Sequence, residues 1–505
     1  MKSAGAAAGL AMAAGINPFS YAQNDKIRLG IIGTGSQGRI AHMDQGIRKN
    51  ADQIDVVALC DVFLPNLEEG VKMSGNENIP TYMDYREMLE KEQLDAVLIT
   101  TPLYLHYQMV LDALDAGLYV FCEKTMAYTI EECRDIVRKC HDTGKFVQVG
   151  HQRRYNPYYN KAMWLAHEKN LIGRINHITA QWHRNDSWRR PVPDYALTPE
   201  EQKYIPNLEK HVNWRLYNDL SGGLMTELGT HQLDVVSWFL GGLPKRVSGM
   251  GGIDYWRDGR ECDDNVVLMY EWNVRPGMQG YKPIDQRDAK QNRARINAPY
   301  NVRMTYSSIC ANRLLHYSEL IQGDRGSLEL VGEQRCQYYA EPWVAQARAA
   351  AAAAQAKKEE GENAEGAEGE DAKTTASYIP GEAYNEGVAL DVYTDENQSI
   401  EYDVWMSNHN SWAGFINDIK TGGMPKANQM TGLLSAICGH KGNEALAKGS
   451  TIDIDPALMA FDFETPDAYR YDFIDGPNPG QPVEGAEGAE GAEEGAGEAT
   501  EEAQA

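Results

Sequence analysis

The stretch Leu29-Gly30-Ile31-Ile32-Gly33-Thr34-Gly35-Ser36-Gln37-Gly38 decides the fold of this chain. The apolar run from Ile27 to Ile32 has the length and composition of a short buried strand. Gly33, Gly35 and Gly38 then fall in the G-x-G-x-x-G spacing, and a helix-compatible segment runs from Arg39 to about Asn50. Gly33 permits the tight turn. Gly35 lets backbone approach a pyrophosphate. Gly38 lets the helix pack closely on the strand, with its N-terminus toward the phosphates. The pattern alone also fits an ordinary glycine turn, so the residues downstream carry the decision.

The next apolar run, Ile54 to Cys60, ends in Asp61. A carboxylate there would accept hydrogen bonds from the adenosine ribose and repel a 2′-phosphate. No arginine follows closely, so NAD is expected in preference to NADP. Further strand-like runs at 94–100, 118–122 and 146–149 alternate with helical segments at 85–91, 106–116 and 130–142. Alternation at these lengths means an α/β domain with a parallel sheet covered by helices, a doubly wound Rossmann layout. Ligands bind outside the carboxyl ends of such strands. Asp61, Thr101, Pro102, Glu123, Lys124 and Arg153 all follow strand ends, which places them on one rim.

From about residue 156 the pattern changes. Helical segments near 158–170 and 229–240 mix with alternating strand-like runs at 175–182, 266–271, 302–306 and 327–331. This reads as an α+β domain on a mostly antiparallel, open-faced sheet. Helix-like segments at 411–420 and 431–448 follow. Residues 345–376 and the acidic tail 476–505, a Gly-Ala-Glu repeat from Glu484 onward, are low-complexity and unsuited to a core. The expected division is a leader at 1–22, a nucleotide domain at 23–150, a substrate and oligomerisation domain at 151–475 carrying the 345–376 insertion, and an acidic tail.

Of the formal charge of −25 over 505 residues, −12 lies in the two low-complexity acidic segments 357–373 and 481–505, so the folded body is only moderately acidic. No basic stripe is present, which argues against nucleic acid or an anionic membrane as partner. The eight cysteines form no C-x-x-C pair and no Cys/His cluster at zinc spacing, so neither a disulfide framework nor a metal is expected. No apolar stretch is long enough for a transmembrane helix. Lys2, the Ala/Gly-rich run Ala4 to Ile16, and the small residues Ser20 and Ala22 have a signal-peptide layout of twin-arginine type. Export to the periplasm is expected; the alternative is an Ala-rich disordered start on a cytoplasmic protein.

In the second domain, Glu227 and His231 stand four apart in Gly222-Gly223-Leu224-Met225-Thr226-Glu227-Leu228-Gly229-Thr230-His231-Gln232-Leu233-Asp234. On a helix they share a face, and a carboxylate with an imidazole suits proton transfer near neutral pH. The same pair would serve equally as a structural hydrogen bond.

Taken in order, six pieces of the chain resemble the Gfo/Idh/MocA family, that of glucose-fructose oxidoreductase and inositol dehydrogenase. They are Gly33–Gly38, Asp61, Thr101-Pro102 with His106, Cys122-Glu123-Lys124, Val149-Gly150 with Arg153-Arg154-Tyr155-Asn156-Pro157, and the glycine-to-Asp234 segment. The signal-like start and the run from Cys438 to Asn443 look like the family's exported bacterial branch. The resemblance implies a bound NAD(P), which an exported protein would have to keep tightly, held by Gly33, Thr34, Gly35, Ser36, Gln37, Gly38, Asp61, Thr101, Pro102, His106, Glu123 and Lys124. It implies Lys124, Glu227 and His231 as the catalytic trio of a sugar, polyol or glycoside oxidoreductase, and a homodimer or tetramer. Arg153, Tyr155, Trp182, His183, Arg184, Trp214, Arg215 and Asp234 are the candidate sugar contacts. Two departures stand out: Lys124 is followed by Thr125 where the family often has proline, which leaves the geometry of that peptide bond open, and Glu227 stands where Asp is common. An NAD-dependent glycosidase working by transient C3 oxidation and elimination is the alternative. A non-catalytic nucleotide- or sugar-binding protein is the third reading.

Overall fold

A computed structural model of the chain describes residues 25–287, 293–344, 388–389 and 406–470. The leader, the low-complexity insertion 345–376 and the acidic tail lie outside the described residues. The first sheet contains β1 (Ile27–Ile32), β2 (Ile54–Cys60), β3 (Thr81–Tyr82), β4 (Ala96–Ile99), β5 (Tyr119–Cys122) and β6 (Val147–Val149). Its spatial order is β3-β2-β1-β4-β5-β6 and every pairing is parallel. The direction of winding reverses between β1 and β4, the place where such folds open a crevice.

Register fixes what faces that crevice. Ile32 lies opposite Cys60 and Ile99, Ile99 opposite Cys122, and Cys122 opposite Val149. The residues that follow these strand ends, Gly33, Asp61, Thr100, Glu123 and Gly150, therefore emerge along one rim. Local chemistry sets the intervening helices. Thr129 and Glu132 form a reciprocal capping box at the start of the Ile130–Thr143 helix, which ends on Gly144 in the left-handed conformation. The segment after the glycine loop, Gln37–Ile47, winds in wider π-type turns and closes with a short 3-10 turn to Asn50.

The second sheet uses β7 (Ile175–His183), β8 (Arg246–Gly252), β9 (Asn265–Val274), β12 (Tyr300–Ile309), β13 (Tyr317–Gly323), β14 (Gly326–Val331), β15 (Arg335–Ala340), β16 (Val388–Ala389) and β17 (Ile452–Asp453). A separate hairpin pairs β10 (Ile284–Arg287) with β11 (Arg293–Ile296). The large sheet runs β16-β15-β14-β13-β7-β12-β9-β8-β17. It is antiparallel except at its centre, where β12 and β7 are parallel.

One feature departs from the expected division of the chain. The Met406–Thr421 helix, far along the sequence, packs on the first sheet. Trp412, Phe415, Ile416 and Ile419 join Ile27, Leu29, Ile31, Leu59 and Phe121 in one buried cluster. The Trp412 and Phe121 rings stack with centroids 4.7 Å apart. Gly46 lets the indole in, since a Cβ there would lie 2.1 Å from Trp412 Cδ1. The amphipathic pattern of this helix states that it has a buried face, not which sheet that face covers.

Candidate functional site

Each loop glycine has its own reason. Gly33 has φ +97°, and a Cβ there would sit 2.9 Å from the Thr100 carbonyl carbon. A Cβ on Gly38 would lie 2.3 Å from the Gly33 carbonyl oxygen. Gly35 is different: its nearest neighbour would be 3.8 Å away, so its missing side chain opens onto free space. That space is a cavity of about 720 Å³ lined by Gly33, Gly35, Ser36, Gln37, Asp61, Thr101 and Pro102. Asp61 accepts from the Thr34 N–H (2.8 Å) and hydroxyl on one oxygen and from the Phe63 N–H (2.9 Å) on the other. Burial pushes its carboxyl up, and these hydrogen bonds push back. Asp61 thus ties the loop to β2 while still bordering the cavity; Thr34 is fully buried beneath it.

The other wall comes from the second domain. Arg190, Pro191, His211, Trp214 and Arg215 line the same cavity. They belong to the 184–217 stretch, which crosses back to the first domain. The Arg190 guanidinium donates to the Ser36 hydroxyl (3.4 Å), Glu201 accepts from the Leu64 N–H (3.0 Å), and the Tyr195 ring meets Phe63 edge-on at 5.2 Å. Sequence reasoning missed this strap. It is proline-rich and aperiodic, so no local pattern announces where it lies.

Beyond the cavity, Glu123 is a hub. Its Oε1 accepts from Gln37 Nε2 (2.9 Å) and His42 Nε2 (2.8 Å), and its Oε2 from the Lys124 N–H (3.1 Å). Trp412 Nε1 donates to His42 Nδ1 (3.1 Å). An indole N–H can only donate, so the His42 proton sits on Nε2 and points at Glu123. Burial works against the Glu123 charge, but the His42 hydrogen bond and the Lys124 ammonium hold its carboxyl well below the usual carboxylate range. None of the partners His42, Gln37 and Trp412 carries a sequence signal for this contact.

The Lys124-Thr125 peptide bond is cis. Thr125 Oγ1 donates to the Thr226 carbonyl (2.8 Å), and Lys124 Nζ donates to the Glu227 carbonyl (2.5 Å). Both bonds cross between domains to the π-type turn Met225–Gly229, which leads into the Thr230–Leu240 helix carrying His231. Burial lowers the Lys124 pKa, Glu227 and Glu123 oppose the shift, and Arg215 and Arg184 add to it. His231 is buried, and its Nδ1 has no hydrogen-bond partner. Burial, then the nearby Lys124, push its pKa well below the ordinary histidine value, so it stands neutral. The expected link from Glu227 to His231 is absent: the Glu227 carboxylate turns to Arg215 Nε (3.3 Å) and the Ser221 hydroxyl (3.4 Å). A guanidinium offers it a charge that a neutral imidazole cannot.

Trp214 and Arg215 line the cavity; Trp182 and Arg184 do not. The Trp182 ring lies 5.3 Å from His231 and stacks on Tyr317 at 4.8 Å. Four expectations are corrected. Arg153 is buried between Glu319 and Glu333, Tyr155 donates to Gln148 Oε1, and Asp234 is locked to Arg154 (2.8 Å). All three are 2% exposed or less, so they brace the site from behind instead of meeting a sugar. His106 likewise bridges the Thr101 and Thr125 carbonyls, each at 2.9 Å, and does not line the cavity. His183 is held by Ser307 and Leu314. All eight cysteines are free and buried, and no metal-binding cluster occurs among the described residues. No described helix is long and apolar enough to cross a membrane.

Known proteins resemble this chain in sequence and in fold. The model of an oxidoreductase family with an NAD-binding Rossmann fold matches residues 27–151, and that of the GFO/IDH/MocA C-terminal domain matches 166–281. The 2,7-anhydro-N-acetylneuraminate hydratase of Mediterraneibacter gnavus is 26% identical over 44% of this chain and 51% of its own. The inositol 2-dehydrogenase of Salmonella paratyphi B is 30% identical over 42% of this chain and 53% of its own. The chain thus spans about half the length of the curated relatives it matches. Among solved structures, the WlbA dehydrogenase from Bordetella pertussis in complex with NADH and UDP-GlcNAcA superposes with a TM-score of 0.57 at 18% identity, covering 86% of this chain and 99% of that one. A levoglucosan dehydrogenase complex with NADH gives 0.59 at 16%, covering 85% and 99%. These likenesses show the shared fold.

Proposed function

Because this chain belongs to the Gfo/Idh/MocA oxidoreductase family, we propose that it binds NAD and oxidises or reduces a hydroxyl or ketone of a sugar, polyol or glycoside. The cavity fits a dinucleotide: Gly35 opens onto it, Asp61 borders it where an adenosine ribose would lie, and Arg190 stands by the loop that would face the pyrophosphate. When bound, the nicotinamide supplies the acceptor or donor of the hydride. The protein supplies the rest.

Oxidising a carbinol requires its O–H proton to leave. His231, neutral and desolvated, can take that proton. Lys124 can turn its N–H donors from the Glu227 carbonyl to the developing oxyanion and stabilise it. Trp182 presents a ring face beside His231 on which a sugar can stack. Glu123 holds the backbone of Lys124 and presents its carboxylate edge next to the loop. The observation that carries the reading is the approach of Lys124 to the segment of the other domain that bears His231, whose imidazole its ammonium helps hold neutral, joined to the nucleotide cavity through Glu227 and Arg215. Arg215 lines that cavity and pairs with Glu227, whose carbonyl takes the Lys124 bond.

The test is to measure nucleotide content and nicotinamide absorbance of the purified protein against sugars, polyols and aryl glycosides. Lys124→Ala and His231→Ala are expected to bind NAD yet lose the substrate-dependent change. Aglycone release without net absorbance change would favour the glycosidase alternative. No nucleotide binding would defeat both readings.

The signal-like start further supports export, where no cytosolic NAD pool is met. The 184–217 strap over the cavity fits a cofactor that is retained, and nucleotide surviving gel filtration is the expected result. Met250, Val267 and Met269 expose apolar surface on β8 and β9, which supports a homo-oligomer measurable by sedimentation.

A further inference from the structure

Arg184 has no ion-pair partner among the described residues, and its Nε is buried without a hydrogen bond. Its guanidinium lies over the Trp188 ring, 4.0 Å from the centroid. Arg215 lies 5.9 Å from the centroid of the same ring. Trp188 is placed for this with effort: its φ is +64°, a left-handed conformation that a bulky L residue adopts only when its surroundings impose it. The Trp188 N–H is pinned by Asp186 Oδ1 (2.6 Å). Stacking on Trp188 covers one face of the Arg184 guanidinium, and its N–H donors find no carboxylate of the protein in ion-pair contact among the described residues, a deficit that a planar anion would fill.

The charges around it do not balance. Arg184 and Arg215 both act on the Lys124 ammonium, and Arg215 acts on Arg184 and Arg190. Glu227, on Arg215, is the one carboxylate in ion-pair contact with any of these four cations among the described residues. Asp186 lies near Arg184 but serves the Trp188 backbone. The surplus has two separate addresses. Arg190 lines the nucleotide cavity beside the glycine loop, which suits a pyrophosphate. Arg184 does not line that cavity; it follows His183 at the end of β7, two residues after the Trp182 ring that faces His231.

We propose that Arg184 binds a carboxylate of the substrate, so that this enzyme acts on a sugar acid, a uronate or aldonate, in preference to a neutral sugar. The sugar part of this assignment rests on the oxidoreductase reading above; the anion part rests on Arg184, Trp188 and Arg215. A carboxylate bridging Arg184 and Arg215 would neutralise the surplus charge and set the carbinol beside Lys124 and His231.

The test uses the full chain loaded with NAD. Isothermal titration compares matched pairs, glucuronate with glucose, galacturonate with galactose, gluconate with sorbitol, for wild type, Arg184→Gln, Arg184→Lys and Arg190→Gln. At least one acid is expected to bind about tenfold or more tightly than its neutral partner, as a charge-assisted bidentate pair allows. That ratio should fall toward one in Arg184→Gln, be partly kept in Arg184→Lys, and survive in Arg190→Gln, whose loss should appear in NAD affinity. Neutral sugars binding as well as acids, no acid binding, or an unchanged ratio in Arg184→Gln would overturn the proposal. If Arg184→Gln fails to fold, the wild-type ratio and Arg184→Lys decide. Nicotinamide absorbance in the same samples separates the two readings: neutral sugars oxidised without acid preference defeat the anion site alone, whereas acids bound but never oxidised defeat the oxidoreductase alone.

Discussion

Replacing Glu123 by Gln tests how the site is built. The wild-type carboxylate takes three donors: Gln37 Nε2, His42 Nε2 and the Lys124 N–H. The amide is the same shape but carries an NH2 in place of one oxygen. Turned one way, it faces both Gln37 and His42 with a donor; turned the other, it keeps both and faces the Lys124 N–H. The second orientation is cheaper. It loses one hydrogen bond to a charged acceptor and weakens two more. Such bonds contribute ~1.5–3 kcal/mol each, and an unsatisfied buried donor costs ~1–3 kcal/mol. The expected loss of stability at pH 7 is about 2–4 kcal/mol. Its pH dependence has a sign. The folded carboxyl titrates below its ordinary value of 4.5, so its contribution is complete above 4.5 and fades as pH falls toward the folded pKa. The amide does not titrate, so the gap between variant and wild type should narrow on acidification below 4.5. A second readout follows from Lys124. Glu123 is one of two charges raising its pKa, so removing it should move the alkaline limb of the oxidation profile to lower pH. Urea unfolding at pH 7 and 4, followed by Trp412 fluorescence beside His42, measures the first effect; the rate profile measures the second. A loss below ~0.5 kcal/mol with an unmoved alkaline limb would refute the hub.

Other outcomes follow from the same geometry. Gly38→Ala forces a Cβ to 2.3 Å from the Gly33 carbonyl oxygen, so the loop must shift and NAD affinity, read by titration, should fall at least about tenfold. His231 is held neutral, so kcat/KM for oxidation should stay flat as pH falls through 6.5, and an acid limb centred there would count against His231 as the base. Burial drives the His151 pKa down to about 4 from 6.5, which makes it a neutral core group. Stability should be full above pH 6.5 and decline as pH falls toward 4, by about 3 kcal/mol from this residue, a decline that His151→Gln should reduce in unfolding curves.

The legible part of this protein was the part written in local order. The glycine spacing, the strand ending at Asp61 and the position of Lys124 after β5 each depend on neighbours within a few residues, and strand register then carries them to one rim. His231 was visible because its segment has a glycine entry and an apolar continuation. What the sequence does not contain is the direction of side chains whose partners are distant in the chain. Arg153 and Tyr155 follow a strand end as a sugar-binding residue would, and Asp234 sits on the helix that carries His231, yet Glu319, Gln148 and Arg154 draw them inward. Trp412 reaches His42 across 370 positions, and Arg190 reaches Ser36 across 154. Burial and charge pairing settle such contacts only when the chain has closed, because the desolvation that drives them is created by the packing itself. The sequence by itself therefore determined the nucleotide fold and the lysine and histidine that meet at it. Only the tertiary structure decided that Glu227 pairs with Arg215 while Arg184 has no ion-pair partner among the described residues.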